Sequence, residues 1–139
     1  MAIFVLDTAT LTLLQQGHPR VSDAVRLHSA DLIGASSVNV EEVLGGWYAL
    51  IRQAKSNADI AKASFRLANA VAFLGRYPIF PLTVPGLERY DRLVKLKLNV
   101  GRMDLKIAAT GLELGATVVT SNLRDFTRVP GLDVVDWAV

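Results

Sequence analysis

The chain has no cysteine among its 139 residues, which excludes disulfides and every thiolate metal site. Its only histidines are His18 and His28, so a histidine-built zinc centre is not expected either. No apolar run approaches the ~20 residues needed to span a bilayer. The N-terminus has neither a charged leader nor a long apolar stretch, so no signal peptide is expected. These absences make a cytoplasmic protein with no membrane role the expectation. What the chain does hold is apolar material. At 51% hydrophobic and 20% charged, it can bury a core and does not have the composition of a disordered chain. One domain over residues 1–139 is expected at this length.

The net charge is +2, but it is unevenly spread. Residues 1–51 carry −3, residues 52–76 carry +4, residues 77–106 carry +3 and residues 107–139 carry −2. Basic middle segments beside acidic flanks suit a polyanionic ligand held next to a cation site. Lysines and arginines on solvated helix faces would give the same tally.

Short apolar runs alternate with helical periodicity along the chain. A buried strand is expected at 2–6, then helices at 8–16 and 19–30, separated where Gly17-His18-Pro19 punctuates the pattern. A second strand is expected at Leu32–Ser36. From 39 to 54, Val43, Leu44, Trp47, Leu50, Ile51 and Ala54 recur at helical spacing. A helix over 58–74 should stop at Gly75, a natural residue just beyond a helix end. Pro78 and Pro81 keep the extended segment 77–82 out of a central sheet position. Helices follow at 86–97 and 103–114, broken by Asn99-Val100-Gly101, with Gly115 ending the second. Strands at 117–121 and 133–136 complete the pattern. Strands alternating with helices mean an α/β domain built on a parallel sheet.

Four carboxylates stand where strands hand over to helices: Asp7, Glu42, Asp104 and Asp125. In an open parallel sheet, ligands bind beyond the carboxyl ends of the strands. Acids gathered there repel one another unless a cation neutralises them, and oxygen-only ligands suit Mg²⁺ or Mn²⁺. Each acid also has an ordinary structural use. Asp7 can cap the helix that follows it. Glu42 can close a capping box with Asn39, while Glu41 points about 100° away. Asp104 in a first helical turn is favoured by the macrodipole. Asp125 sits in a polar turn of the kind Asn and Asp often form.

Taken together, the segments resemble a known family. Leu6-Asp7-Thr8, Asn39-Val40-Glu41-Glu42-Val43-Leu44, Met103-Asp104-Leu105-Lys106-Ile107-Ala108-Ala109 and Val119-Thr120-Ser121-Asn122-Leu123-Arg124-Asp125-Phe126 occur in order. Val129-Pro130-Gly131-Leu132-Asp133-Val134-Val135-Asp136-Trp137 ends the chain. This is similar to a PIN domain of the VapC type, the toxin ribonuclease of bacterial toxin–antitoxin pairs, over essentially the whole length. The resemblance implies an α/β/α sandwich with a central, mostly parallel sheet flanked by helices. It implies Asp7, Glu42, Asp104 and Asp125 as both catalytic residues and ligands of Mg²⁺ or Mn²⁺. Thr120 and Asn122 would support that cluster, and Arg124 would touch the substrate phosphate. The implied reaction is metal-dependent hydrolysis of structured RNA such as tRNA, leaving a 5′-phosphate and a 3′-hydroxyl. The implied partners are a VapB-type antitoxin and a second copy in a homodimer. The chain departs from the pattern at Asn39, where threonine is usual, and at Glu41, where a small residue is usual.

Three other readings compete. A haloacid-dehalogenase-type phosphatase would need a second acid two residues after Asp7, where this chain has Ala9. A non-catalytic α/β interaction module would reduce the four acids to caps and turns. A metal-dependent nuclease acting on DNA would use the same residues.

Overall fold

Side-chain alternation along the first strand, β1 (Ile3–Leu6), divides the interior in two. Val5 enters a buried cluster with Val118, Phe80, Leu93, Leu105, Ala108 and Phe126. Phe4 and Leu6 point the other way, into a cluster with Leu11, Val21, Ile33, Phe73, Val119 and Trp137. A sheet with apolar side chains on both faces needs helices on both faces. The computed structural model, which describes residues 1–139, supplies them in an α/β/α sandwich.

After β1 come α1 (Thr8–Gln15), α2 (Pro19–Leu27), β2 (Leu32–Ser36), α3 (Ser37–Gln53) and α4 (Asn57–Leu74). Then follow β3 (Ile79–Phe80), α5 (Val84–Lys95), α6 (Arg102–Leu114), β4 (Thr117–Val119), α7 (Leu123–Phe126) and β5 (Asp133–Val135). The sheet order is β3-β2-β1-β4-β5, and every neighbouring pair is parallel. From β1 the chain builds outward through β2 to β3, then returns to lay β4 on the other side of β1. The order therefore reverses between β1 and β4, and a crevice opens beyond their carboxyl ends.

Local chemistry accounts for most boundaries. Pro19 opens α2, with the His18 ring accepting from the Val21 backbone. Thr83 caps α5 through Gly86, and Pro85 sits in its first turn, so α5 begins two residues before position 86. Gly115 ends α6 in the left-handed conformation at φ 64°, a backbone that disfavours any side chain. Gly75 follows α4 but stays right-handed at φ −66°, so its freedom is not what stops that helix. The extended segment expected at 77–82 shortens to the two-residue β3, which lies at the sheet edge as its prolines require. At Gly34 a Cβ would stand 2.3 Å from the carbonyl oxygen of Pro78, so β2 accepts its edge neighbour only without a side chain there.

Two expectations are corrected. The helix expected from 39 begins at Ser37, because Ser36 rather than Asn39 is its cap. The polar turn expected around Asp125 is a short helix, α7. Less of α3 and α4 is buried than their apolar content implied: Leu50, Phe65 and Val71 are 49%, 66% and 51% exposed.

Candidate active site

Asp7 closes β1 with its backbone N–H on the Val119 carbonyl of β4 at 3.0 Å. That bond places its side chain at the point where the strand order reverses. One carboxylate oxygen accepts from the Thr10 backbone at 2.9 Å, so the expected cap is real. The other accepts from Thr120 Oγ1 at 2.6 Å. Asp7 is 7% exposed and Thr120 is fully buried, so this charged hydrogen bond is shielded from water. Capping accounts for only one of the two oxygens.

Thr120 carries the network onward. Its hydroxyl accepts from the Asn122 backbone at 2.9 Å, and the Asn122 side-chain amide donates to Asp125 Oδ2 at 3.1 Å. Arg128, one helical turn beyond, reaches Asp125 Oδ1 at 3.4 Å and donates to the Asn99 carbonyl at 2.9 Å. Asn99 has φ 60° and lies in the loop that leads into α6. Arg128 therefore links the acid of α7 to the approach of the helix carrying Asp104. Sequence reading missed it, although its spacing of three from Asp125 is a helical pairing signal.

A second buried network lies at the start of α3. Asn39 Oδ1 accepts from the Ser36 backbone at 3.1 Å and from Ser36 Oγ at 2.6 Å, and Ser36 Oγ accepts from the Asn39 backbone at 3.1 Å. This reciprocal box belongs to Ser36 and Asn39, so the one expected between Asn39 and Glu42 does not form. Glu42 is left exposed and without a cationic partner. Asn39 Nδ2 also donates to Thr8 Oγ1 at 3.1 Å, beside Asp7.

Asp104 is in the first turn of α6 and makes no capping hydrogen bond. Its carboxyl is raised above the ordinary carboxylate range, first by burial and then by the negative charges of Asp7, Glu42 and Asp125. Acids from elsewhere in the chain therefore act electrostatically on Asp104. Only Asp125 has an ion-pair partner, Arg128; Asp7, Glu42 and Asp104 have none. In the rotamers adopted, no three of these groups stand close enough to share one ion. The donor set nevertheless fits a hard divalent cation, being oxygen-only and carrying uncompensated negative charge. Arg124 projects exposed from α7, and Arg102 is exposed at the head of α6.

Two cavities of about 560 Å³ each lie elsewhere. One is lined by Leu50, Gln53, Lys62 and Ala63 between α3 and α4, the other by Thr12, Gln15, Val43 and Phe65. They share Trp47 and Arg66.

No protein-family model matches the chain. It is 32% identical over 63 residues to ribonuclease VapC1 of Rickettsia felis, covering 42% of this chain and 47% of that protein. To the tRNA(fMet)-specific endonuclease VapC of Salmonella typhimurium it is 47% identical over 38 residues, covering 27% of this chain and 29% of that one. The matched stretches thus span less than half of either relative's length. In structure the likeness extends over the whole chain. DNA-bound VapBC from Salmonella typhimurium superposes with a TM-score of 0.80 at 27% identity, over 99% of both chains.

Proposed function

We propose, from the premise that the chain is a VapC-type PIN domain, that it is an endoribonuclease acting as the toxin of a VapBC-type pair. The observation that supports this most is the state of Asp104. Its carboxyl is raised by burial and by three acids contributed by three other elements. Caps and turns serve local backbone and give no reason for such mutual repulsion.

The residues proposed to hold Mg²⁺ or Mn²⁺ are Asp7, Glu42, Asp104 and Asp125. When bound, the cation supplies a water of lowered pKa and neutralises charge on the phosphate. The chain's own part is positional and protonic. Thr10 and Thr120 hold the two oxygens of Asp7. Asn122 and Arg128 hold those of Asp125. One of the four carboxylates, directly or through a water, would receive the proton of the attacking water. Arg124, exposed on α7 next to Asp125 in sequence, would provide positive charge for RNA phosphates. Loops of structured RNA such as tRNA are the substrate class proposed, because their unpaired segments can be splayed out and recognised.

The partner proposed is a VapB-type antitoxin, and the assembly a homodimer. Exposed Leu50 on α3 and Phe65 on α4, which line the cavities at Trp47, would supply apolar surface for such contacts.

The test is incubation of purified protein with total RNA, purified tRNA and single-stranded DNA, with Mg²⁺, Mn²⁺ or EDTA. Discrete RNA fragments that require the metal are expected, and Glu42→Gln should abolish them. Glu41→Gln should cleave at close to the wild-type rate, because Glu41 lies about 100° around the helix from its neighbour. Intact RNA with the folded wild-type protein refutes the nuclease reading, and cleavage of DNA alone replaces its substrate.

A further inference from the structure

Asn39 is fully buried, and its side chain does two separable things. Its oxygen completes the capping box with Ser36, which stabilises the start of α3 and needs nothing else. Its nitrogen leaves that box and donates to Thr8 Oγ1 at 3.1 Å. A helix cap gives no reason for this second bond. It crosses from α3 to the first residue of α1, and Thr8 directly follows Asp7. Glu42 lies three residues beyond Asn39 on the same side of α3. Exposed, and with no ion-pair partner of its own, its position depends on where α3 sits relative to β1.

We propose that Asn39 is a positioning residue whose amide nitrogen, held on Thr8 Oγ1, sets the spacing between Glu42 and Asp7. The inference rests on the proposed function above, since that spacing matters only if the two acids serve one cation. A buried amide suits the task. Desolvation makes the loss of either bond costly, so the two elements stay in a single arrangement. On the far side of Asp7, Thr120 and Asn122 make the corresponding link to Asp125. Asp7 is thus tied on one side to the helix of Glu42 and on the other to Asp125.

The experiment titrates Mn²⁺ alone into the full chain, reads binding by electron paramagnetic resonance, and measures thermal unfolding in parallel. Thr8→Val removes the acceptor of the crossing bond and leaves the cap intact. Ser36→Ala removes the cap hydroxyl and leaves the crossing bond intact. Thr8→Ser restores the hydroxyl. Thr8→Val is expected to weaken Mn²⁺ binding about 10-fold, in the range found when groups that orient metal ligands are removed. Thr8→Ser is expected to bind within about 2-fold of wild type, and Ser36→Ala to lose stability with little loss of Mn²⁺ affinity. The proposal is overturned if Thr8→Val binds Mn²⁺ as wild type does. It is equally overturned if Thr8→Val and Ser36→Ala lose affinity in proportion to their loss of stability. A folded wild type that binds no Mn²⁺ overturns the metal-dependent reading together with this one.

Discussion

Replacing Thr120 by valine tests whether the Asp7–Thr120 bond holds the switch point together. Valine nearly matches threonine in shape, so no cavity opens and only the hydroxyl is lost. That hydroxyl donates to a buried carboxylate at 2.6 Å and accepts from the Asn122 backbone at 2.9 Å. A hydrogen bond to a charged group contributes about 1.5–3 kcal/mol, and a neutral one about 1 kcal/mol. Asp7 keeps its bond from Thr10, and Asn122 is exposed enough for water to replace part of what it loses. The valine methyl returns roughly 0.8 kcal/mol of burial. The net expectation is a loss of about 2 kcal/mol, or a fall in Tm of roughly 5–8 °C for a chain of this size. Urea unfolding reads it directly, with the midpoint lowered and the slope m unchanged. Thr120→Ser, which keeps the hydroxyl and drops the methyl, should lose only about 1 kcal/mol. If valine proves equal to or more stable than serine at this position, the hydroxyl does not hold Asp7 and the argument for a shielded network fails.

Three further outcomes follow from the same structure. Asp104 has its folded pKa raised by burial and then by Asp7, Glu42 and Asp125, so its ionised form is the disfavoured one. The cost is absent below the ordinary carboxylate range, grows as pH rises, and is complete above the folded pKa. Asp104→Asn should therefore be more stable than wild type at pH 7 and match it in acid, while cleavage falls at least about 100-fold; urea midpoints across pH and RNA cleavage assays check both. Asp31 has its pKa lowered, first by the Ala2 backbone N–H and then by His28. Its contribution is present above the ordinary carboxylate range and is lost as pH falls through the folded value, so Asp31→Asn should be less stable at pH 7 and the difference should vanish in strong acid. Gly34→Ala places a Cβ 2.3 Å from the Pro78 carbonyl and should cost at least about 1–3 kcal/mol, with amide exchange speeding up first in β3; unchanged protection there would show that the edge strand can shift aside.

Much of the fold was legible because local chemistry specified it. Leu32–Ser36 was readable as a buried apolar strand between helical patterns, and it forms as expected. Pro19 and Gly115 mark a helix start and stop through backbone constraints that do not depend on the rest of the chain. Asp7, Asp104 and Asp125 were visible because each sits at a cap or in the first turn of a helix; Glu42, expected at such a junction too, lies in the second turn of α3. The start of α3 was misplaced because Ser36 and Asn39 both qualify as caps by residue type. The choice between them was made by the end of β2, whose last residue, Ser36, is also the cap of the helix.

What the sequence determined by itself was therefore the alternation of strands and helices, set by side chains within a few residues of one another. The tertiary structure alone decided which groups meet. Thr120 reaches Asp7 across 113 positions of chain and Asn39 reaches Thr8 across 31. Both bonds exist because β4 lies beside β1 on one side and β2 on the other. Strand order is set by how helices cover both faces of the sheet at once, a cooperative packing choice that no local periodicity encodes.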